Sequence, residues 1–110
     1  MTPQQTVVRF ISAHDLTASP QARLLDLVSE VGELAKELLR GSDYGRAPLT
    51  LPATWAEELG DVYFALLCLA ESTGVDLEAA LEGVLVKYAA RLEQTGQAGS
   101  MKNSQGFTRN

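Results

Sequence analysis

The sequence has a single cysteine, a single histidine and no long apolar run. Cys68 therefore has no partner within the chain for a disulfide. The longest apolar run, from Val62 to Ala70, falls well short of the ~20 residues that a membrane helix needs. A basic segment followed by an apolar one, as in a signal peptide, is also missing at the N-terminus. These absences predict a cytoplasmic protein that has no contact with a membrane.

Basic residues are scarce relative to acidic ones. The chain has 9 Lys and Arg against 14 Asp and Glu, which gives a formal net charge of −5 over 110 residues. Proteins that bind nucleic-acid polymers generally need a basic face, so this balance argues against such a role. The length allows one domain with a modest hydrophobic core.

No segment shows the period-two alternation of a β-strand, and helix signals divide the whole chain. Thr2-Pro3-Gln4-Gln5 and Thr54-Trp55-Ala56-Glu57 are predicted capping boxes, Ser19-Pro20 and Asp76 are further helix starts, and Gly41 and Gly74 are predicted stops. The pattern predicts an all-α four-helix bundle whose helices end near His14, Arg40, Thr73 and the residue before Gly96. We expect a helical domain over residues 1–96 and a flexible polar tail over 97–110.

The third predicted helix is apolar almost all the way round between Val62 and Ala70. A helix without a polar face is normally buried on every side. The second helix adds an apolar arc that includes Leu24, Val28 and Val31. A chain this short cannot cover both surfaces alone, so we expect a homodimer or homotetramer that completes the core between subunits.

Two helices carry the same unusual motif, acid-apolar-Gly-acid-apolar. It reads EVGEL at Glu30 to Leu34 and ELGDV at Glu58 to Val62. Residues three apart share one helix face, so Glu30 pairs with Glu33, and Glu58 with Asp61. The second pair lies on a stripe that turns apolar one turn later, so it should be at least half buried.

Buried carboxylates are costly unless they are paired, protonated or bound to a metal. A hard divalent cation would relieve the repulsion among four of them, and Mg²⁺ suits oxygen ligands best, with Mn²⁺ as an alternative. Plain salt bridges or a solvated acidic face are the other interpretations of this spacing.

A glycine lies between the acids of each motif, at Gly32 and Gly60. Glycine inside a helix costs about 1 kcal/mol relative to alanine, so its placement calls for a reason. A missing side chain lets another backbone or helix approach closely. We expect the two glycines to allow the acid-bearing helices to pack tightly enough for their carboxylates to converge.

The paired E-x-x-E and E-x-x-D motifs resemble the MazG-like all-α nucleoside triphosphate pyrophosphohydrolase superfamily. Further similarity lies in LLDLVSEVGELAKELL, WAEELGDVYFALLCLA and VDLEAALEGVLVKYAARLE, which together cover roughly residues 24–93. The resemblance implies hydrolysis between the α- and β-phosphates of a nucleoside triphosphate, which yields the monophosphate and pyrophosphate. It also implies that Glu30, Glu33, Glu58 and Asp61 hold Mg²⁺, and that the enzyme removes non-standard or surplus nucleotides, a house-cleaning role.

Basic and aromatic residues near the motifs are candidates for substrate binding. The resemblance makes Lys87 and Arg91, which share a face of the fourth helix, candidate triphosphate contacts, although exposed ion pairs with acids such as Glu93 would equally explain them. Lys36 could neutralise a phosphate or the acidic strip around it. Tyr44 and Arg46 lie in the loop between the acid-bearing helices, where they could touch a ligand.

Two rival functions fit the same residues. Within enzymes, a phosphoribosyl-ATP pyrophosphohydrolase or a dUTP- or dCTP-specific relative would carry the same acid pairs. Outside enzymes, the chain could be a non-catalytic metal- or nucleotide-binding helical module with a regulatory role. That module is expected to have lost an acid or a basic contact, whereas this sequence retains all of them.

Overall fold

The computed structural model describes residues 1–95, and the predicted tail at 97–110 lies outside the described residues. The described part of the chain contains α-helices and no strand, which confirms the all-α prediction. The helices are α1 (Pro3–Ala13), α2 (Pro20–Gly41), α3 (Trp55–Ser72) and α4 (Leu77–Thr95).

Three of the four helices begin at the predicted caps. The Thr2 hydroxyl accepts a hydrogen bond from the Gln5 backbone N–H at 3.1 Å, and the Thr2 N–H donates to the Gln5 side chain at 2.9 Å. Ser19 caps α2 through the N–H of Ala22. Asp76 starts α4 by accepting hydrogen bonds from two backbone N–H groups. These local bonds satisfy N–H groups that have no partner inside the helix.

Helix α2 ends at Gly41, within one residue of the predicted end near Arg40, and its C-cap is Ser42. Gly41 is the last helical residue and does not have the positive φ of a terminating glycine. The chain turns afterwards, at Asp43, Tyr44 and Gly45, whose φ angles are all positive. Gly41 serves a different purpose: its carbonyl accepts a hydrogen bond from Thr50 N–H at 2.9 Å, and the Thr50 carbonyl oxygen occupies the space that a Cβ would need. By contrast, Gly74 ends α3 as predicted, with φ at +71°.

The first compact unit, Met1–Val75, contains α1, α2 and α3, and both α1 and α2 contact α3. The less exposed side of α2 recurs every three or four residues. It consists of Arg23, Leu27, Glu30, Leu34, Glu37 and Gly41. Since α3 is the main neighbour of α2, these positions define the packed side of the helix, and three of them are charged. Charged groups therefore lie within the packed side itself.

The core consists of Ala65, Leu67, Cys68 and Ala70 of α3 together with Ile11 of α1. The single chain leaves other residues of α3 open to solvent, so the expected burial on every side, which depends on a second subunit, stays a prediction. Tyr63 is 51% exposed, and many other large apolar side chains are also open to solvent. The physical reason is that the helix carries more apolar surface than α1 and α2 cover.

The second compact unit begins at Asp76 and contains α4. The helix presents several exposed apolar side chains, including Leu81, Leu85 and Val86. Over residues 1–95, no helix combines the length and the apolar character that crossing a bilayer requires.

We predict that Gly41→Ala destabilises the protein by about 1–3 kcal/mol, because the new methyl group overlaps a backbone carbonyl that cannot move as freely as a side chain. Gly32→Ala is the matched control, since a Cβ there meets nothing within 4 Å among the described residues. It should stabilise the helix by about 1 kcal/mol. Urea unfolding of the three proteins measures both effects, and equal responses at the two positions would contradict the account.

Candidate functional site

A cavity of about 250 Å³ lies between α2 and α3. Residues of α2 spaced by three and four line one wall, and residues of α3 with the same kind of spacing line the other. The lining residues are Arg23, Asp26, Glu30, Asp61, Phe64, Ala65 and Cys68. Such spacing places side chains on a single helix face, so the two helices turn acidic faces toward one space.

The cavity contains one carboxylate from each predicted acid pair, Glu30 and Asp61. Glu30 is half-buried, whereas Asp61 is exposed, so the expected half-burial is wrong for Asp61 because the cavity opens to solvent. Glu33 is exposed on α2, and Glu58 is half-buried on α3; neither belongs to the cavity lining. The convergence of all four carboxylates on one centre thus stays a prediction.

The two carboxylate oxygens of Glu58 have different hydrogen-bonding environments. Its Oε1 is buried and has no hydrogen-bond partner, while its Oε2 accepts a hydrogen bond from the Thr54 hydroxyl at 3.0 Å. A buried acceptor left unpaired costs about 1–3 kcal/mol, and more when it belongs to a charged group. A partner that donates positive charge to this oxygen would remove the cost.

The predicted capping box at Thr54 is wrong. Thr54 occupies the N-cap position of α3, but its side chain makes no capping hydrogen bond and instead donates to Glu58, one turn further along. Leaving a helix uncapped typically costs about 0.5–2 kcal/mol. The backbone of Thr54, at φ −90° and ψ 9°, does not have the extended conformation of Thr2 and Ser19, and its hydroxyl oxygen accepts no N–H of the first turn.

The explanation proposed for the two motif glycines is also wrong within this chain. A Cβ built at Gly32 or Gly60 meets no atom within 4 Å among residues 1–95. Neither glycine is therefore the point of close approach between α2 and α3. The close backbone approach in this unit is at Gly41, where the end of α2 meets Thr50 of the loop that precedes α3.

Sequence reasoning missed Arg23 and took Asp26 only as part of an acidic strip. Both line the cavity beside Glu30, and spacings of three and four residues along α2 were the pattern that could have revealed them. Arg23 is half-buried, and its guanidinium donates a hydrogen bond to the carbonyl of Leu16 in the loop before α2. It brings a positive charge to a wall that is otherwise acidic.

Cys68 forms the floor where the cavity meets the core, and it is 1% exposed. Burial raises the pKa of its thiol above the usual 9.0. The charges of Arg23 and Asp26 have smaller effects: Arg23 lowers the pKa and Asp26 raises it. The thiol is thus kept neutral. Its packing role, expected from the apolar run, agrees with this burial.

An aromatic contact joins α1 to the cavity wall. Phe10 packs edge-to-face against Phe64, with ring centroids 6.1 Å apart, and Phe64 lines the cavity. The Phe10 ring also contacts the ring of His14, with centroids 4.4 Å apart. His14 is the C-cap residue of α1. Through these rings, α1 supports one side of the site.

The predicted substrate-binding residues of the first unit are all exposed. Lys36 lies on α2, one turn after Glu33. Tyr44 is 64% exposed in the turn after α2, and Arg46 forms an ion pair with Asp43 at 3.0 Å. Exposed ion pairs of this kind are weak, so Arg46 can exchange its partner for a phosphate at little cost.

Lys87 and Arg91 belong to the second unit, where they flank the ring of Tyr88. The Lys87 ammonium lies 5.6 Å and the Arg91 guanidinium 5.8 Å from the ring centroid. Both distances are within the range of cation–π attraction. The ring thus gathers two positive charges on one face of α4.

The donor set fits a hard divalent cation. Among residues 1–95, no group of three or more Asp, Glu, His or Cys side chains is arranged to hold one ion, although Asp26, Glu30 and Asp61 line one cavity. Mg²⁺ needs only one or two protein carboxylates, because water and substrate phosphates complete its shell. The unpaired Oε1 of Glu58 is a further oxygen of this acid pair, and its contribution to the same centre stays a prediction.

The described residues thus form an all-α fold with an acid-lined cavity between two of its helices. Residues 18–95 match the family described as "MazG nucleotide pyrophosphohydrolase domain". The chain belongs to the MazG nucleotide pyrophosphohydrolase family, as its motifs led us to expect.

Individual relatives agree with this assignment. The YpjD protein of Bacillus subtilis is 40% identical over 76 residues, which span 66% of this chain and 67% of YpjD. The solved structure of YpjD has a TM-score of 0.65 at 38% identity and covers 80% of this chain and 90% of its own. A Bacillus-conserved MazG protein, described as a nucleotide pyrophosphohydrolase, has a TM-score of 0.63 at 36% identity, over 77% of this chain and 83% of its own.

We predict that Cys68 makes folding stability fall above pH 9. The folded thiol stays neutral while the unfolded thiol ionises, so the unfolded state gains free energy as the pH rises from the usual pKa towards the raised one. Below that range the thiol is neutral in both states and has no effect on the pH dependence. Urea unfolding of wild type and Cys68→Ala between pH 7 and about 10.5 gives the free energy of unfolding at each pH, and the two values should approach each other above pH 9. A constant difference between the two free energies would contradict the raised pKa.

Proposed function

We propose that this chain hydrolyses a (deoxy)nucleoside triphosphate between its α- and β-phosphates and releases the monophosphate and pyrophosphate. The reaction would depend on Mg²⁺, with Mn²⁺ as an alternative. The observation that carries this proposal is the single cavity lined by Glu30 of one acid motif and Asp61 of the other. Membership of the MazG family supports the same reaction class.

The carboxylates would have two roles, as ligands of the cation and as general base for the attacking water. Glu30, Glu33, Glu58 and Asp61 are the proposed ligands. When bound, Mg²⁺ neutralises phosphate charge and lowers the pKa of a coordinated water. Either Glu30 or Glu33 would accept the proton of the attacking water as general base, since both belong to the α2 motif.

A triphosphate carries several negative charges, so an acidic cavity can bind it only with help from cations. Arg23 at the cavity wall, which sequence reasoning missed, is our added candidate, because a guanidinium suits phosphate oxygens. The other candidate substrate contacts are Lys36, Tyr44, Arg46, Lys87 and Arg91. We propose them as contacts on the strength of their charge, exposure and family resemblance.

The biological context is proposed from the sequence. House-cleaning of non-standard or surplus nucleotides follows from the family resemblance, and the cytoplasm is the expected location. Base and sugar preference would be set by the side chains around the cavity.

We propose that the active form is a homodimer or homotetramer. The support is the apolar surface that one chain leaves open: Leu25 is 68%, Val28 59% and Val86 70% exposed. Side chains of this size are normally buried, and a second copy would cover them. The expected mass in solution is therefore two or four times the 11.8 kDa of one chain.

A non-catalytic metal- or nucleotide-binding module is the second candidate. It is supported by the acid-lined cavity, because such a cavity can hold a cation without catalysing a reaction. Such a module would bind Mg²⁺ or a nucleotide weakly and leave it intact.

The decisive experiment is a product assay on a panel of standard and modified nucleoside triphosphates with Mg²⁺. We expect wild type to release monophosphate and pyrophosphate, and Glu58→Gln to lower turnover by at least about 100-fold, because a metal centre contributes several kcal/mol to the barrier reduction. Glu82→Gln, an exposed acid in the middle of α4, is the matched control and should keep wild-type turnover.

Three outcomes would contradict the proposal in different ways. Release of diphosphate and orthophosphate would move the cleavage to the other phosphoanhydride. Full activity of Glu58→Gln would remove this carboxylate from the site. Absence of turnover on every substrate, with Mg²⁺ bound, would favour the non-catalytic module.

A further inference from the structure

We propose that Thr54 is a positioning residue that orients the Glu58 carboxylate for cation binding. The inference rests on the proposed function of Glu58. Its basis is one local arrangement: the Thr54 hydroxyl donates to Glu58 Oε2 at 3.0 Å, and Glu58 Oε1 is buried with no partner among the described residues. The two oxygens of one carboxylate therefore have opposite environments.

The hydroxyl of Thr54 contacts the Glu58 side chain and caps no backbone N–H of α3. Thr2 and Ser19 cap their helices from an extended backbone, whereas Thr54 has φ −90° and ψ 9°. A threonine hydroxyl has a single proton, and here it is given to Glu58.

This hydrogen bond fixes which oxygen of Glu58 faces a ligand. Because Oε2 already accepts a hydrogen bond, the carboxylate cannot rotate without breaking it. Oε1 remains as the free acceptor, because it is buried and no described residue pairs with it. Glu58 would thus bind a cation through one oxygen, a mode that leaves coordination sites for water and phosphate.

The start of α3 does not depend on the Thr54 hydroxyl. The first turn of α3 begins without a side-chain cap, so the helix already forms without that contribution. Removal of the hydroxyl should therefore change the behaviour of Glu58 more than the folding of α3.

The test uses the full chain, freed of metal, and titration calorimetry with Mn²⁺ alone as the probe. Thr54→Val keeps the shape of the side chain and deletes the hydroxyl, while Thr54→Ser keeps the hydroxyl. Hydrogen-bond partners of metal ligands typically change affinity by about 10- to 100-fold when removed, and we expect a loss in this range for Thr54→Val. Thr54→Ser should retain wild-type affinity.

Thr73→Val is the matched control. It deletes a hydroxyl at the opposite end of the same helix, where the acceptors are backbone carbonyls of Leu69 and Ala70. It should bind Mn²⁺ as wild type does. In a Glu58→Gln background, Thr54→Val should cause no further loss, because the group through which it acts is already changed.

Equal Mn²⁺ affinity of Thr54→Val and wild type would overturn the inference, and so would a full further loss in the Glu58→Gln background. Loss of Mn²⁺ affinity in Thr54→Ser would assign the effect to packing and would also overturn the inference. Thr54→Ser decides the question even if Thr54→Val does not fold. The proposed function is judged separately by wild-type turnover. Mn²⁺ binding that depends on Thr54, without turnover, would support the inference and contradict the enzyme.

Discussion

The unpaired Oε1 of Glu58 is the constraint around which the site is organised. This oxygen is buried in the folded chain, and the Thr54 hydroxyl donates to the other oxygen of the same carboxylate. A folded protein rarely leaves a charged group half satisfied unless something else completes it. The acidic faces of the two helices, which meet at one cavity, follow the same logic: they are stable together when a cation is present.

Side-chain contacts around the cavity connect the site with the rest of the first unit. Arg23 joins the cavity wall to the loop before α2 through the Leu16 carbonyl, and Cys68 closes the cavity against the core. Phe64 extends the contact to Phe10 of α1. Movement of any of these side chains would alter the spacing between the acid-bearing helices, so the core and the site are not independent.

The sequence predicts what depends on near neighbours along the chain. The caps at Thr2, Ser19 and Asp76 are correct because their partners lie two or three residues away. The family was recognisable for a similar reason, since each acid pair lies within one helical turn. Contacts between distant segments were harder: the close approach occurs at Gly41, not at the motif glycines, because it depends on where Thr50 returns in space. The cap at Thr54 was wrongly predicted because a capping side chain needs an extended backbone at the N-cap, and the chain enters α3 with φ −90° and ψ 9° at this residue.

The central claim is that a divalent cation belongs between the acid motifs of α2 and α3, in contact with the buried oxygen of Glu58. A crystal structure of the full chain with Mn²⁺, with anomalous data collected at the manganese edge, tests this most directly. The account predicts a peak at bonding distance from Glu58 Oε1, roughly 2.0–2.2 Å, with an oxygen of Glu30 or Asp61 in the same shell. A Glu58 oxygen still unpaired while manganese occupies another place, or no place, would contradict it.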